Sequence, residues 1–198
     1  MTTSPSGKAL YRLAWIFYLV MALLGGAWLA WSARGFSASL FVRDGRVFVD
    51  AVAGIACGLA LLGLWWLARH QLPDGPRLEQ HFASLLQGIE PAEAIALAAL
   101  SSFAEELFFR GAVQSAWGLL PATILFAILH TGPSPALRLW TLFAAIAGLA
   151  FGLLAAWRGT LLPPIAAHFV VNAVNLVRLS RAERRAADDP FGGQPSRE

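Results

Sequence analysis

Charge is what this chain has least of. Only 14% of its 198 residues are Asp, Glu, Lys or Arg, against roughly a quarter in a soluble globular domain. Cysteine is nearly absent as well. Cys57 stands alone in an apolar run, which excludes an intramolecular disulfide and any cysteine-built metal site and leaves it as a small packing residue. No internal repeat is evident, although many transporters are built on one. The net charge of +3 comes largely from arginines that flank apolar runs. Such placement speaks for membrane orientation and against nucleic-acid binding.

What replaces the missing charge is hydrocarbon. Hydrophobic residues make up 57% of the chain, and several almost uncharged windows reach about 20 residues, the length a helix needs to cross a bilayer. The expected fold is all-α: a polytopic transmembrane bundle, one membrane domain over 1–198, with about six segments. These fall near 10–32, 47–68, 91–116, 120–131, 137–157 and 161–179. The first is too long for a signal-peptide core and lacks a convincing cleavage site, so it is expected to persist as a helix. Residues 69–90 hold most of the mid-chain charges and read as a turn plus a short amphipathic helix at the interface. The charged, then Pro-, Gly- and Ser-rich tail at about 182–198 is expected to be disordered.

Tryptophans near segment ends (Trp28, Trp31, Trp65, Trp66, Trp117, Trp140, Trp157) suit the two membrane interfaces. Small residues at four-residue spacing, Ala144–Gly148–Gly152–Ala156 and Gly54–Gly58, predict close helix contacts. An even number of crossings leaves both termini on one side. Lys8, Arg12, Arg69, Arg77, Arg138, Arg178 and the tail arginines share that side, against Arg34, Arg43, Arg46 and Arg158 on the other. The excess makes the terminal side cytoplasmic by the positive-inside tendency.

Ionisable groups inside membrane segments are costly and mark function by default. Here they are Glu105, Glu106 and Arg110 in the third segment, His130 ending the fourth, and His168 in the sixth, with Asn172 and Asn175 beside it. On a helix, Ser101, Ser102, Glu105, Glu106 and Arg110 gather on one half of the circumference. Glu106 and Arg110 stand four apart with the acid first, the favourable order for an ion pair. Glu105 is left without a cation in its own helix, and a free carboxylate suits general-base chemistry. His168, Asn172 and Asn175 share a narrow stripe. Together these groups supply a base for water and donors for a developing oxyanion, the parts a hydrolytic site needs. The same groups also suit a proton relay or a binding protein, so a small transporter or a non-enzymatic immunity protein is the alternative.

Glu105-Glu106-x-x-x-Arg110, Phe126-x-x-x-His130 and His168-x-x-x-Asn172, in this order on successive segments, resemble the CPBP family of CAAX-protease and bacteriocin-processing (Abi) intramembrane proteases. The stretches FFRG, GLAFGLL and WRGTLLPPIAAH share the resemblance, which covers about residues 91–178. It implies an intramembrane endopeptidase in which Glu105 and His130 activate water. His168 and Asn172 stabilise the oxyanion, and Glu106 and Arg110 shape the site. The family is also described as metalloproteases. Glu105, His130 and His168 match the donor set of a catalytic zinc, so a zinc ion and a metal-free glutamate mechanism both stay open, with the latter preferred. The implied setting is a prokaryotic cell membrane, with a lipid-embedded peptide or membrane-anchored protein as substrate. One tension stands: Glu105 lies past the midpoint of an outward-running segment while His130 lies near the inner end of the next, so they meet only if the fourth segment is short or tilted.

Overall fold

The apolar segments are all helices in a computed structural model, which describes residues 7–32, 35–43, 45–134 and 137–188. Helices α1 (Gly7–Trp31) and α2 (Val47–Gln71) are followed by the short α3 (Gly75–Leu85). Next come α4 (Pro91–Glu106), a π-helical stretch (Leu107–Val113) and α5 (Gln114–Trp117), which form one unbroken rod. The bundle is completed by α6 (Leu119–Leu129), α7 (Leu137–Arg158) and α8 (Leu162–Asp188). Among the described residues there is no strand.

Four helices, α1, α2, α7 and the Leu162–Arg185 part of α8, are each long and apolar enough to cross a membrane. The rod from Pro91 to Trp117 is long enough to do the same at about 1.5 Å per residue. By contrast, α6 has 11 residues, about 16 Å, or roughly half of the hydrocarbon core. The six expected segments are therefore five full-length helical elements and one half-length helix. Leu13, Ile16, Leu23, Leu59, Ile124 and Leu153 point outward, an apolar exterior that suits lipid and not water.

Glycine decides which helices touch. A Cβ on Gly54 would come within 2.3 Å of the Pro163 carbonyl oxygen, and one on Gly58 within 2.7 Å of that of Ala167. That contact runs α2 parallel to α8. Gly148 faces Phe126 and Arg110, and Gly152 faces Leu119 and Gln114, so the small-residue stripe on α7 seats both α6 and the rod. Trp31, Trp66, Trp117 and Trp157 are exposed. Trp65 departs from the expected belt: it is buried, with its ring 5.0 Å from that of Phe143 and 6.4 Å from that of Trp140.

The tail also differs from expectation. Helix α8 continues to Asp188, so 182–188 is helical, because Ala, Glu and Arg are strong helix formers and extend a nucleated helix cheaply. Residues 189–198, like Arg34, lie outside the described residues.

Gly7 packs on the Gln87 backbone and Arg178 reaches Glu79, so the start of α1 and the end of α8 flank α3 on the same side. Leu78 of α3 is fully buried. Glu79 accepts hydrogen bonds from Arg178 Nη2 at 2.6 Å, Arg178 Nη1 at 3.2 Å and Arg69 Nη1 at 2.8 Å. Burial pushes the Glu79 carboxyl up, but the hydrogen bonds and charge of Arg178, then of Arg69, overcome it and hold the group below the usual carboxylate range. A depressed carboxylate stabilises the fold above its ordinary pKa, and that contribution disappears as pH falls through the lowered value. Replacing Glu79 by Gln should therefore lower the melting temperature in detergent at neutral pH, and the difference from wild type should close on acidification. A difference that survives full acid titration would contradict the tether.

Candidate active site

A helical hairpin solves the depth problem. Gly118 has φ +89°, a conformation that favours glycine, and there the chain turns from the rod into α6. Glu105 and His130 lie at nearly equal distances from this turn along its two arms. The half-length α6 therefore ends level with Glu105, and Nε2 of His130 is 3.8 Å from Oε2 of Glu105. The sequence brings the two together only if the fourth segment is short or tilted; α6 is short, and His130 stands beside Glu105 because it stops halfway.

The tautomer of His130 follows from its partner. Its Nδ1 is 2.7 Å from the Phe126 carbonyl oxygen, which can only accept, so Nδ1 carries the proton and in the neutral ring Nε2 bears a lone pair. The ring stacks on Phe126 at 4.3 Å and lies 5.5 Å from Trp140. Opposite it, Glu105 is buried and its Oε2 has no hydrogen-bond partner. Two acceptors thus face one another at a separation that a single water can bridge. A water donating one O–H to each would keep an oxygen lone pair free.

Glu106 has the opposite character. It is 0% exposed, and Arg110 is 2% exposed. Arg110 Nε lies 3.2 Å from Glu106 Oε2, the ion pair that the spacing predicts. On its other oxygen, Oε1, Glu106 accepts from His168 Nδ1 at 2.8 Å. It therefore joins the rod to α8 and orients His168, which the spacing alone did not reveal. Arg110 Nη2 donates to the Gly148 carbonyl at 2.9 Å. Its guanidinium sits 4.5 Å from the centre of the Phe126 ring, 5.6 Å from that of Phe151 and 5.8 Å from that of Phe109. In an apolar interior these rings stabilise a cation whose Nη1 has no hydrogen-bond acceptor. The π-helical stretch begins directly after Glu106; such departures from α geometry are frequent at functional sites.

Asn172 donates its Nδ2 to Ser101 Oγ at 3.0 Å, which sets the amide beside α4 and leaves a second N–H. Asn175 is turned back to the Val171 carbonyl. Glu105, His130, His168 and Asn172 line one cavity of about 220 Å³, which extends along α8 to Glu79 and Arg178. Glu106 and Arg110 lie behind its wall. Tyr18 of α1 also lines this cavity, with its hydroxyl beside the Glu105 carboxylate. The motifs did not point to it; the signal available was a polar ring in mid-segment, on the same face as Met21 and Gly25.

Among the described residues no three His, Cys, Asp or Glu side chains, the set Glu105, His130 and His168 included, are placed to hold one metal ion.

Residues 87–174 match the family profile described as Type II CAAX prenyl endopeptidase Rce1-like. A Bacillus subtilis (strain 168) relative described as uncharacterized protein YpbD is 32% identical over 137 residues, which is 67% of this chain and 69% of the relative. No solved structure matches the chain significantly.

The charge assignments make a stability prediction. Arg110→Ala and Glu106→Gln each leave a buried partner unpaired and should cost about 3–5 kcal/mol, whereas Glu105→Gln should cost far less. Thermal unfolding of the three variants in detergent checks this, and equal losses would contradict the pairing.

Proposed function

Because the chain belongs to the Rce1-like (CPBP) family of CAAX-type intramembrane proteases, we propose that it is an intramembrane endopeptidase that cleaves a membrane-anchored protein or peptide. The observation that carries the reading is the buried, unpartnered Oε2 of Glu105 facing the lone pair on Nε2 of His130. Lone carboxylate oxygens are costly in an apolar interior. Here the cost coincides with a cavity wall, as a water-holding site requires. The catalytic core is the stretch near 91–178 within a single membrane domain. The protein's setting is a prokaryotic cell membrane with the termini cytoplasmic, in keeping with the arginine excess on that side.

The chemistry follows from the donors and acceptors. Water held between Glu105 and His130 attacks the scissile carbonyl carbon as Glu105 takes its proton. The carbonyl oxygen becomes an oxyanion, which accepts the second N–H of Asn172 and an N–H from Nε2 of His168. Glu106 holds the other ring nitrogen through Nδ1–H, and Arg110 fixes Glu106. Collapse of the intermediate breaks the C–N bond, and Glu105 returns its proton to the leaving amine. Each role uses preorganised groups in a water-poor site, where they act most strongly.

Purified protein in liposomes, presented with a pool of quenched-fluorescent peptides that each carry one apolar spanning stretch, tests the reading. Wild type should cleave members of the pool. Glu105→Ala and His130→Ala should remain folded and lose about a hundredfold to ten-thousandfold in rate, the usual worth of acid–base groups. Undiminished cleavage by Glu105→Ala sinks the mechanism, and a wild type that cleaves no peptide counts against the activity.

A further inference from the structure

Glu105 lacks the cation that fixes Glu106, so something else has to orient it. Helix α1 brings a protic side chain, Tyr18, to the cavity that Glu105 lines. Along α1, Tyr18, Met21, Gly25 and Leu29 form a stripe on one face. Met21, Gly25 and Leu29 are buried, and a Cβ on Gly25 would lie 3.0 Å from Phe108 Cα. That close approach locks α1 against the rod just beyond Glu105. Two turns before Gly25, the Tyr18 ring packs on the cluster that holds Met21, Ala104, Phe109 and Phe126, and its hydroxyl lies beside the Glu105 carboxylate on the wall of the same cavity. The packing part of this arrangement would be satisfied by phenylalanine. The hydroxyl is what packing leaves unexplained, and in an apolar interior it needs an acceptor.

We propose that Tyr18 is a positioning residue for hydrolysis: its O–H anchors the Glu105 carboxylate so that Oε2 is presented to His130 and the attacking water. This inference rests on the endopeptidase reading above. A glutamate side chain has several rotatable bonds, and a carboxylate with no fixed partner samples orientations that do not face His130. One charge-assisted hydrogen bond narrows that choice, and holding the base in register is worth rate. Substrate binding elsewhere in the cavity does not depend on this bond.

The chain has two tyrosines, Tyr11 and Tyr18, which permits a direct test. Uniform 3-fluorotyrosine labelling of a Tyr11→Phe chain in nanodiscs leaves one fluorine, at position 18. Its 19F resonance should shift when Glu105 is replaced by Gln and stay in place when Asp74, which does not line this cavity, is replaced by Asn. A resonance that ignores Glu105 overturns the contact without any activity measurement. In the liposome assay, Tyr18→Phe should lower kcat about tenfold to a hundredfold with KM unchanged, the scale of a lost hydrogen bond to a charged group. If Glu105→Gln is inactive and Tyr18→Phe retains full kcat, the role of Tyr18 fails while the endopeptidase reading stands. If Glu105→Gln keeps full activity, it is the endopeptidase mechanism that fails.

Discussion

Glu106 is the charge on which the rest of the site depends. It sits where no water reaches, and it is tolerable there because Arg110 neutralises it from one turn away and His168 donates to it from α8. A bundle in lipid has no solvent to fall back on, so each buried polar group has to be met from within. The consequences spread outward from this one carboxylate. Arg110 needs an acceptor and finds the Gly148 carbonyl, which it can approach because that position of α7 has no side chain. Phe109, Phe126 and Phe151 surround the guanidinium. Phe126 then carries the His130 ring on its face and accepts its Nδ1–H. The Glu106–Arg110 ion pair and the histidine proposed to hold water are thus two ends of one packed network.

Glu105 gains its chemistry by contrast. Adjacent residues on a helix point about 100° apart, and that rotation is enough to send one glutamate into the network and the other into the cavity. The half-length α6 completes the division by delivering His130 at the depth of Glu105. A full crossing would have carried the histidine past the carboxylate. The shortness of α6 sets the depth of His130, and it is fixed by the turn at Gly118 and by the Gly132–Pro133 break that follows the helix.

Much of this was legible in the residues. Uncharged runs gave the helices away, four-residue spacing gave the Glu106–Arg110 pair and the glycine contacts, and the ordered motifs gave the set that lines the cavity. What stayed hidden depends on distances between segments. Nothing in the spacing of Glu106 says that its second oxygen belongs to His168, on a helix about 60 residues later. Trp65 looks like an interface residue by position and is interior by packing. Tyr18 lies in the uncharged middle of α1, so its place on the cavity wall appears only once Gly25 has brought α1 against the rod. The equal arms of the hairpin about Gly118 could have been counted in advance, and they resolve the apparent mismatch in depth between Glu105 and His130.

The central claim is that Glu105 and His130 act as one unit on one water. A double-mutant cycle on single-turnover peptide cleavage tests it most directly, with Glu105→Gln, His130→Gln and the double variant compared in liposomes. Residues that act as a unit are strongly non-additive, so the double variant should be about as slow as the slower single variant. Losses that multiply, with each substitution exacting its full cost in the presence of the other, would contradict the shared water.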